Sequence, residues 1–195
     1  LFGPTWILGW SRSDAGPASY PAYGDRQRHA TTPTVDGRVL VSGGMSDGVF
    51  VDWTEVFDPG TGRFALTGRL TQPRHSHSSA ALDDGSVVIA GGWVRSADDP
   101  ATPLANSPEV WDPQTGYWKP IEAIRFEWQD WVHLARLNDG TVLFFASREL
   151  AAEKPDGPVE YRAWKWNPLS GRVDPISVPL KPRSRAGIAI RPDGT

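Results

Sequence analysis

The residues of this chain with capacity for acid/base, metal or anion chemistry are four histidines, a set of arginines in register and scattered carboxylates. His29 and His77 each stand eight residues before the glycine of an Asp-Gly turn (Gly37, Gly85), and Arg26 and Arg74 stand eleven before it. Arg183 keeps that distance from Gly194. Such columns suit two roles. The histidines read as hydrogen-bonding partners between repeats. The arginines either gather into a ring that binds an anion or each pair with a carbonyl or glutamate of a neighbouring repeat; the second reading is preferred, with Glu55 and Glu109 as its partners. His75 lies outside the column. On a strand, His75 and His77 project to one side, a spacing that presents two imidazoles to a metal. No carboxylate or third histidine is fixed beside them in sequence, so no metal and no cofactor are expected, with His75 and His77 the pair to watch.

Other chemistries find less support. Cysteine is absent, which removes disulfides and thiolate ligands. Acid/base catalysis needs paired ionisable groups, and the arginine column with His29, His77 and His133 is a thin basis for it. The glycine pairs Gly43-Gly44 and Gly91-Gly92 lack the following Lys-Ser/Thr of a phosphate loop. Net charge is −3 and no basic cluster exceeds two neighbouring residues, so no nucleic-acid partner is expected. No apolar run approaches the ~18 residues of a membrane helix, so no membrane partner is expected either. The chain opens at Leu1 without a methionine or a charged-then-apolar leader; either a leader has been removed or the piece belongs to something longer. The compartment is not legible.

The elements that position these residues are short strands. Twenty glycines and eighteen prolines, with no sustained helical period, predict strands joined by tight turns. Turn glycines at Gly37, Gly85, Gly140 and Gly194 are spaced 48, 55 and 54 residues apart, a repeat of propeller size. Each repeat reads as strand A up to the Asp-Gly turn, a β-branched strand B (R38-V-L-V-S, S86-V-V-I-A) ending at the glycine pair, strand C with E-V-F-D or E-V-W-D, and strand D from near Phe64, Trp118 or Val173. Between C and D, Asp-Pro-x-Thr-Gly caps and turns the chain: Asp binds the turn amides, Pro presets φ, and Gly takes the left-handed corner. The third repeat diverges. Gln129 stands for the arginine, Val132 for the histidine, Ala146-Ser147 for the glycine pair and Trp164 for the glutamate.

The pattern D-G-x-V-x-V-x-G-G followed by E-x-W-D-P-x-T-G-x-W resembles the kelch family of β-propellers over about residues 26–195. The resemblance implies an all-β fold of four-stranded antiparallel blades: an irregular N-terminal segment at 1–25, blades at 26–73, 74–128 and 129–182, and the opening hairpin of a further blade at 183–195. Because kelch propellers generally close with five to seven blades, further blades of the same polypeptide or a second chain are expected to complete the ring. One version has W6-I-L-G-W10 pairing beside residues 183–193. Secreted copper-radical oxidases similar to galactose oxidase share this architecture and need a Tyr–Cys crosslink; with no cysteine and four tyrosines (Tyr20, Tyr23, Tyr117, Tyr161), that crosslink cannot form within these residues.

In such a meander the A–B and C–D turns share one face and the B–C loops and D–A crossovers share the other. The first face has short, stereotyped turns. The second bears the variable segments 45–52, 94–108 and 148–160. A rigid scaffold with one elaborated loop face predicts a binding surface, with Trp93, Arg95, Asp98, Asp99, Arg148 and Glu149 as its contact residues. Trp111, Trp118 and Trp166 share repeat positions with Phe57 and Phe64 and are expected to pack blade on blade. The expected function is a non-catalytic scaffold for a protein or carbohydrate partner. The alternative is the propeller part of a carbohydrate-active or galactose-oxidase-like enzyme whose catalytic residues lie mostly elsewhere.

Overall fold

A computed structural model describes residues 26–94, 106–128, 130–150 and 159–177. The expected pairing of residues 6–10 with 183–193 lies outside them, as do Arg183 and Gly194.

The first repeat supplies Arg26–Gln27 (β1), Ala30–Pro33 (β2), Val39–Ser42 (β3), Met45–Ser46 (β4), Val49–Phe50 (β5), Trp53–Asp58 (β6) and Arg63–Arg69 (β7). The second supplies Arg74–His75 (β8), Ser78–Ala81 (β9), Val87–Ala90 (β10), Trp93–Val94 (β11), Glu109–Trp111 (β12) and Trp118–Pro120 (β13). The third supplies Trp131–Arg136 (β14), Val142–Glu149 (β15), Val159–Trp166 (β16) and Val173–Ile176 (β17). These build three four-stranded antiparallel sheets, β2-β3-β6-β7, β9-β10-β12-β13 and β14-β15-β16-β17, each in chain order. They have the four-stranded antiparallel form that the resemblance to kelch propellers implies.

The turns form as their residues dictate. In all three A–B hairpins the glycine amide returns to the carbonyl three residues back: Gly37 to Thr34, Gly85 to Leu82 and Gly140 to Leu137, at 3.0–3.1 Å. At the C–D corners, Gly62, Gly116 and Gly171 adopt φ of 67°, 75° and 70° and donate to Asp58, Asp112 and Asn167 carbonyls at 2.8 Å. The side chains of those Asx residues accept the amides of Gly60, Gln114 and Leu169 at 2.8–2.9 Å.

Strand alternation then sorts side chains into layers between blades. Along β10, Val87 and Ile89 face the first blade and pack with Leu40, Val56, Leu70, Trp111 and Trp118. Val88 and Ala90 face the third and pack with Ile124, Phe126, Val132, Phe144 and Trp166. The core is thus made of interblade layers, and the buried Trp111, Trp118 and Trp166 lie within them. Trp118 and Trp111 also donate their indole N–H across the first seam, to Thr54 and Thr67 at 3.2 Å.

Two expectations about the strands change. In the first two blades strand A is not continuous, because Arg28 and Ser76, in one repeat column, adopt φ of 57° and 56° and break it. Beyond the bend, the Arg column pairs with the residues after the glycine pair: Arg26 with Ser46, and Arg74 with Val94. Segment 45–52 is therefore not a plain loop but carries the β4–β5 hairpin. In the third blade, Val132 and Ala146-Ser147 replace the histidine and glycines, and the hairpin runs unbroken from Trp131↔Ser147 to Arg136↔Val142. The bases of segment 148–160 are paired as well, Arg148 with Glu160 and Glu149 with Val159.

Candidate functional site

The glycine pair explains how the columns come together. Gly43 and Gly91 face the next blade: an added Cβ would lie 2.4 Å from the Arg74 carbonyl oxygen and 2.4 Å from Val132 Cβ, respectively. Gly44 and Gly92 face their own bend, within 2.8 Å of the Gln27 and 2.5 Å of the His75 carbonyl oxygens. Only glycine allows both approaches. Backbone bonds then join the blades, Gly44 N to Arg74 O and Ser76 N to Arg28 O, each at 2.8 Å.

Among the described residues, both arginines of the column are paired. Arg74 is wholly buried and pairs with Glu109, whose other oxygen accepts the Thr71 amide at 2.7 Å. Its guanidinium also donates to the Gly91 carbonyl, Asn106 Oδ1 and the Ser107 carbonyl, each at 3.2 Å. Arg26 repeats the arrangement, pairing with Glu55, donating to the Gly43 and Trp53 carbonyls at 3.4 Å, and lying 5.4 Å over the Trp53 ring. The expected partners are correct in identity but not in location. Each arginine takes the glutamate of its own blade, because the bend turns the Arg column back over strand C. Burial lowers the Arg26 pKa to about 10 and also lowers that of Arg74, which the Glu109 charge opposes. Both remain cations at neutral pH. With its two terminal nitrogens engaged and no exposed surface, Arg74 offers nothing to an anion.

The histidines are likewise built in. His77 Nε2 meets Ser42 Oγ of the first blade at 2.9 Å, a link between blades. Burial, and then the charges of Arg74, His29 and His75, hold its pKa down to about 3, so it stays neutral. His29 is also lowered, by burial and by Arg26. His75 is buried with its ring edge-on to Phe50, centroids 4.4 Å apart, and Nδ1 3.0 Å from Ser76 Oγ. The strand is bent at Ser76, so the two imidazoles are not related by simple strand alternation, although both meet the first blade. Among the described residues no group of three His, Asp or Glu side chains gathers to hold a metal.

Part of what remains exposed lies on the loop face. Of the sequence-expected contact residues, Arg95, Asp98 and Asp99 lie outside the described residues. Trp93 is 38% exposed and its ring contacts that of Trp128, itself 41% exposed, with centroids 6.2 Å apart. Glu149 is exposed. Arg148 is not: it is half-buried, paired with Glu160, with Nε 3.9 Å from Asp130 Oδ1. Asp130, buried at the start of β14, also pairs with Arg162 and closes a turn by accepting the Glu127 amide at 2.8 Å. The third blade thus inverts the pair of the first two, with a carboxylate on strand A and a guanidinium on strand C, and leaves it partly open. Sequence reasoning missed Asp130, Glu160 and Arg162. The available signal was the joint loss of both partners, arginine to Gln129 and glutamate to Trp164.

Residues 28–66 and 74–122 match the Kelch motif. Over 98 residues the chain is 30% identical to an F-box/kelch-repeat protein of Arabidopsis thaliana, covering 49% of this chain and 27% of that protein. Among solved structures, a copper-complexed fungal alcohol oxidase of the AA5 family aligns with 13% identity and a TM-score of 0.46, covering 82% of this chain and 55% of that one. The chain spans about a quarter of that relative's length and about half of that structure's.

Proposed function

We propose that this chain of kelch repeats is a non-catalytic binding scaffold that engages a protein partner through its loop face. The observation that carries the reading is the division of labour between the faces of each blade. The repeated Arg, Glu and His side chains are tied up inside or between blades, while tryptophans and charges from the second and third blades stand exposed at the ends of the B–C loops and D–A crossovers. Rigid presentation of exposed aromatic side chains suits protein recognition, where Trp and Arg contribute most per residue. A carbohydrate is the other class of partner that exposed tryptophans accommodate, by stacking on their faces. Replacing Trp93 and Arg95 by alanine should weaken partner capture while leaving the unfolding midpoint within about a degree or two, since surface substitutions change stability by ~0.5 kcal/mol or less. Equal loss of fold and capture would overturn the reading.

A further inference from the structure

We propose that the loop-face surface made by Trp93 and Trp128, where the second blade passes to the third, takes a lysine or arginine side chain from a basic segment of a partner protein, seated on the two indoles beside Glu127. The inference rests on the loop-face reading and narrows it to one chemistry. Its first support is the aromatic pair. Trp111, Trp118 and Trp166 are buried between blades, whereas Trp93 and Trp128 present joined rings, tilted by 51°, to solvent. Both are held in place from behind: Trp93 pairs through its backbone with His75, and Trp128 sits on the turn closed by the Asp130 amide donating to the Glu127 carbonyl at 3.0 Å. Fixed indole faces attract a cation through the ring quadrupole, and tryptophan does so best.

The second support is charge. Glu127, Asp130 and Glu160 surround Arg148, with Arg162 on Asp130; among the described residues, three carboxylates against two guanidiniums leave one negative charge. Asp130 is buried and shared between Arg162 and Arg148, and Glu160 pairs with Arg148, so the uncompensated carboxylate is Glu127, which stands exposed next to Trp128. At the seam between the first and second blades the Arg74–Glu109 pair is balanced and sealed, with both side chains 0% exposed, so no ligand reaches it. A cationic side chain gains from both the rings and the excess charge. An acidic segment would be repelled by Glu127 and Glu160, and a neutral glycan would draw nothing from the charge.

The test titrates the full chain, by its tryptophan fluorescence and by calorimetry, with three probes: a Gly-Ser peptide centred on Arg-Lys-Arg, the same peptide centred on Glu-Asp-Glu, and a neutral trisaccharide. The basic peptide is expected to bind, to weaken at least tenfold in Trp93→Ala and in Glu127→Gln, and to weaken as salt rises. Trp128→Ala serves as the second aromatic variant should Trp93→Ala unfold. Binding of the basic peptide that is indifferent to these substitutions overturns the proposal. If the acidic peptide or the trisaccharide binds instead and is lost in Trp93→Ala, this inference fails while the loop face remains a binding surface. If no probe depends on Trp93 or Trp128, both readings fail.

Discussion

The sealed Arg74–Glu109 pair sets the most demanding prediction. Removing one partner alone, as in Arg74→Met or Glu109→Leu, leaves the other charge buried and unpaired, at a cost of about 3–5 kcal/mol. If the two costs were independent, the double variant would lose about 6–10 kcal/mol, comparable to the whole stability of many domains. They should not be independent. In the double variant no charge is stranded, and what remains is the Thr71 amide without Glu109 Oε2 and the Gly91 carbonyl, Asn106 Oδ1 and Ser107 carbonyl without Arg74. At about 1 kcal/mol for each group, the double variant should lose about 4 kcal/mol, so the coupling is about 2 kcal/mol or more, in the upper part of the range for residues in contact. The third blade, with Gln129 and Trp164 at these positions, forms its four strands with the inverted Asp130–Arg162 pair instead. Urea unfolding of the wild type, both single variants and the double variant at pH 7 measures the cycle. Additive losses within about 0.5 kcal/mol would refute the claim that the column is a structural pair.

Other outcomes follow from the same joints. His77 is held neutral with a pKa of about 3 against an ordinary 6.5, so its contribution is intact above pH 6.5 and is lost as pH falls from 6.5 towards 3, where the unfolded chain takes up a proton that the folded chain refuses. The decline in stability over that window should be shallower in His77→Asn, and identical slopes would contradict the assignment. Gly91→Ala and Gly37→Ala both place a side chain at positive φ, 68° and 83°, but only the first meets Val132, Gly37 having nothing within 4 Å. Thermal unfolding should show Gly37→Ala costing about 1 kcal/mol and Gly91→Ala at least twice that.

Much of the fold was legible because turn chemistry is local. The Asp-Gly and Asx-Pro-x-x-Gly corners form as read even in the third repeat, which diverges elsewhere, since each needs only its own few residues. The interblade place of Trp111, Trp118 and Trp166 was legible from their shared positions. The bend at Arg28 and Ser76 was not. Neither residue type advertises a left-handed conformation, and the bend is fixed instead by the glycine pair packed against it and by the bond from the Ser76 amide to the Arg28 carbonyl of the preceding blade. That bend is also why the arginines reach their own blade's glutamates. At the candidate site, Trp93 and Glu149 stand exposed as expected. Arg148 does not, because extension of β15 and β16 brings Glu160 opposite it and Asp130 beside it, and strand length depends on pairing partners that composition does not reveal.

The central claim is that the repeated columns join blades and so leave the chemistry of recognition to the loop face. Residue-resolved amide hydrogen exchange tests it most directly, at the Gly44 and Ser76 amides that cross from one blade to the next. They should exchange as slowly as the interior amides of β10, opening only with the blades themselves. Exchange as fast as that of the exposed corner amide of Gly60 would show that these columns do not hold the seam, and the account would fail there.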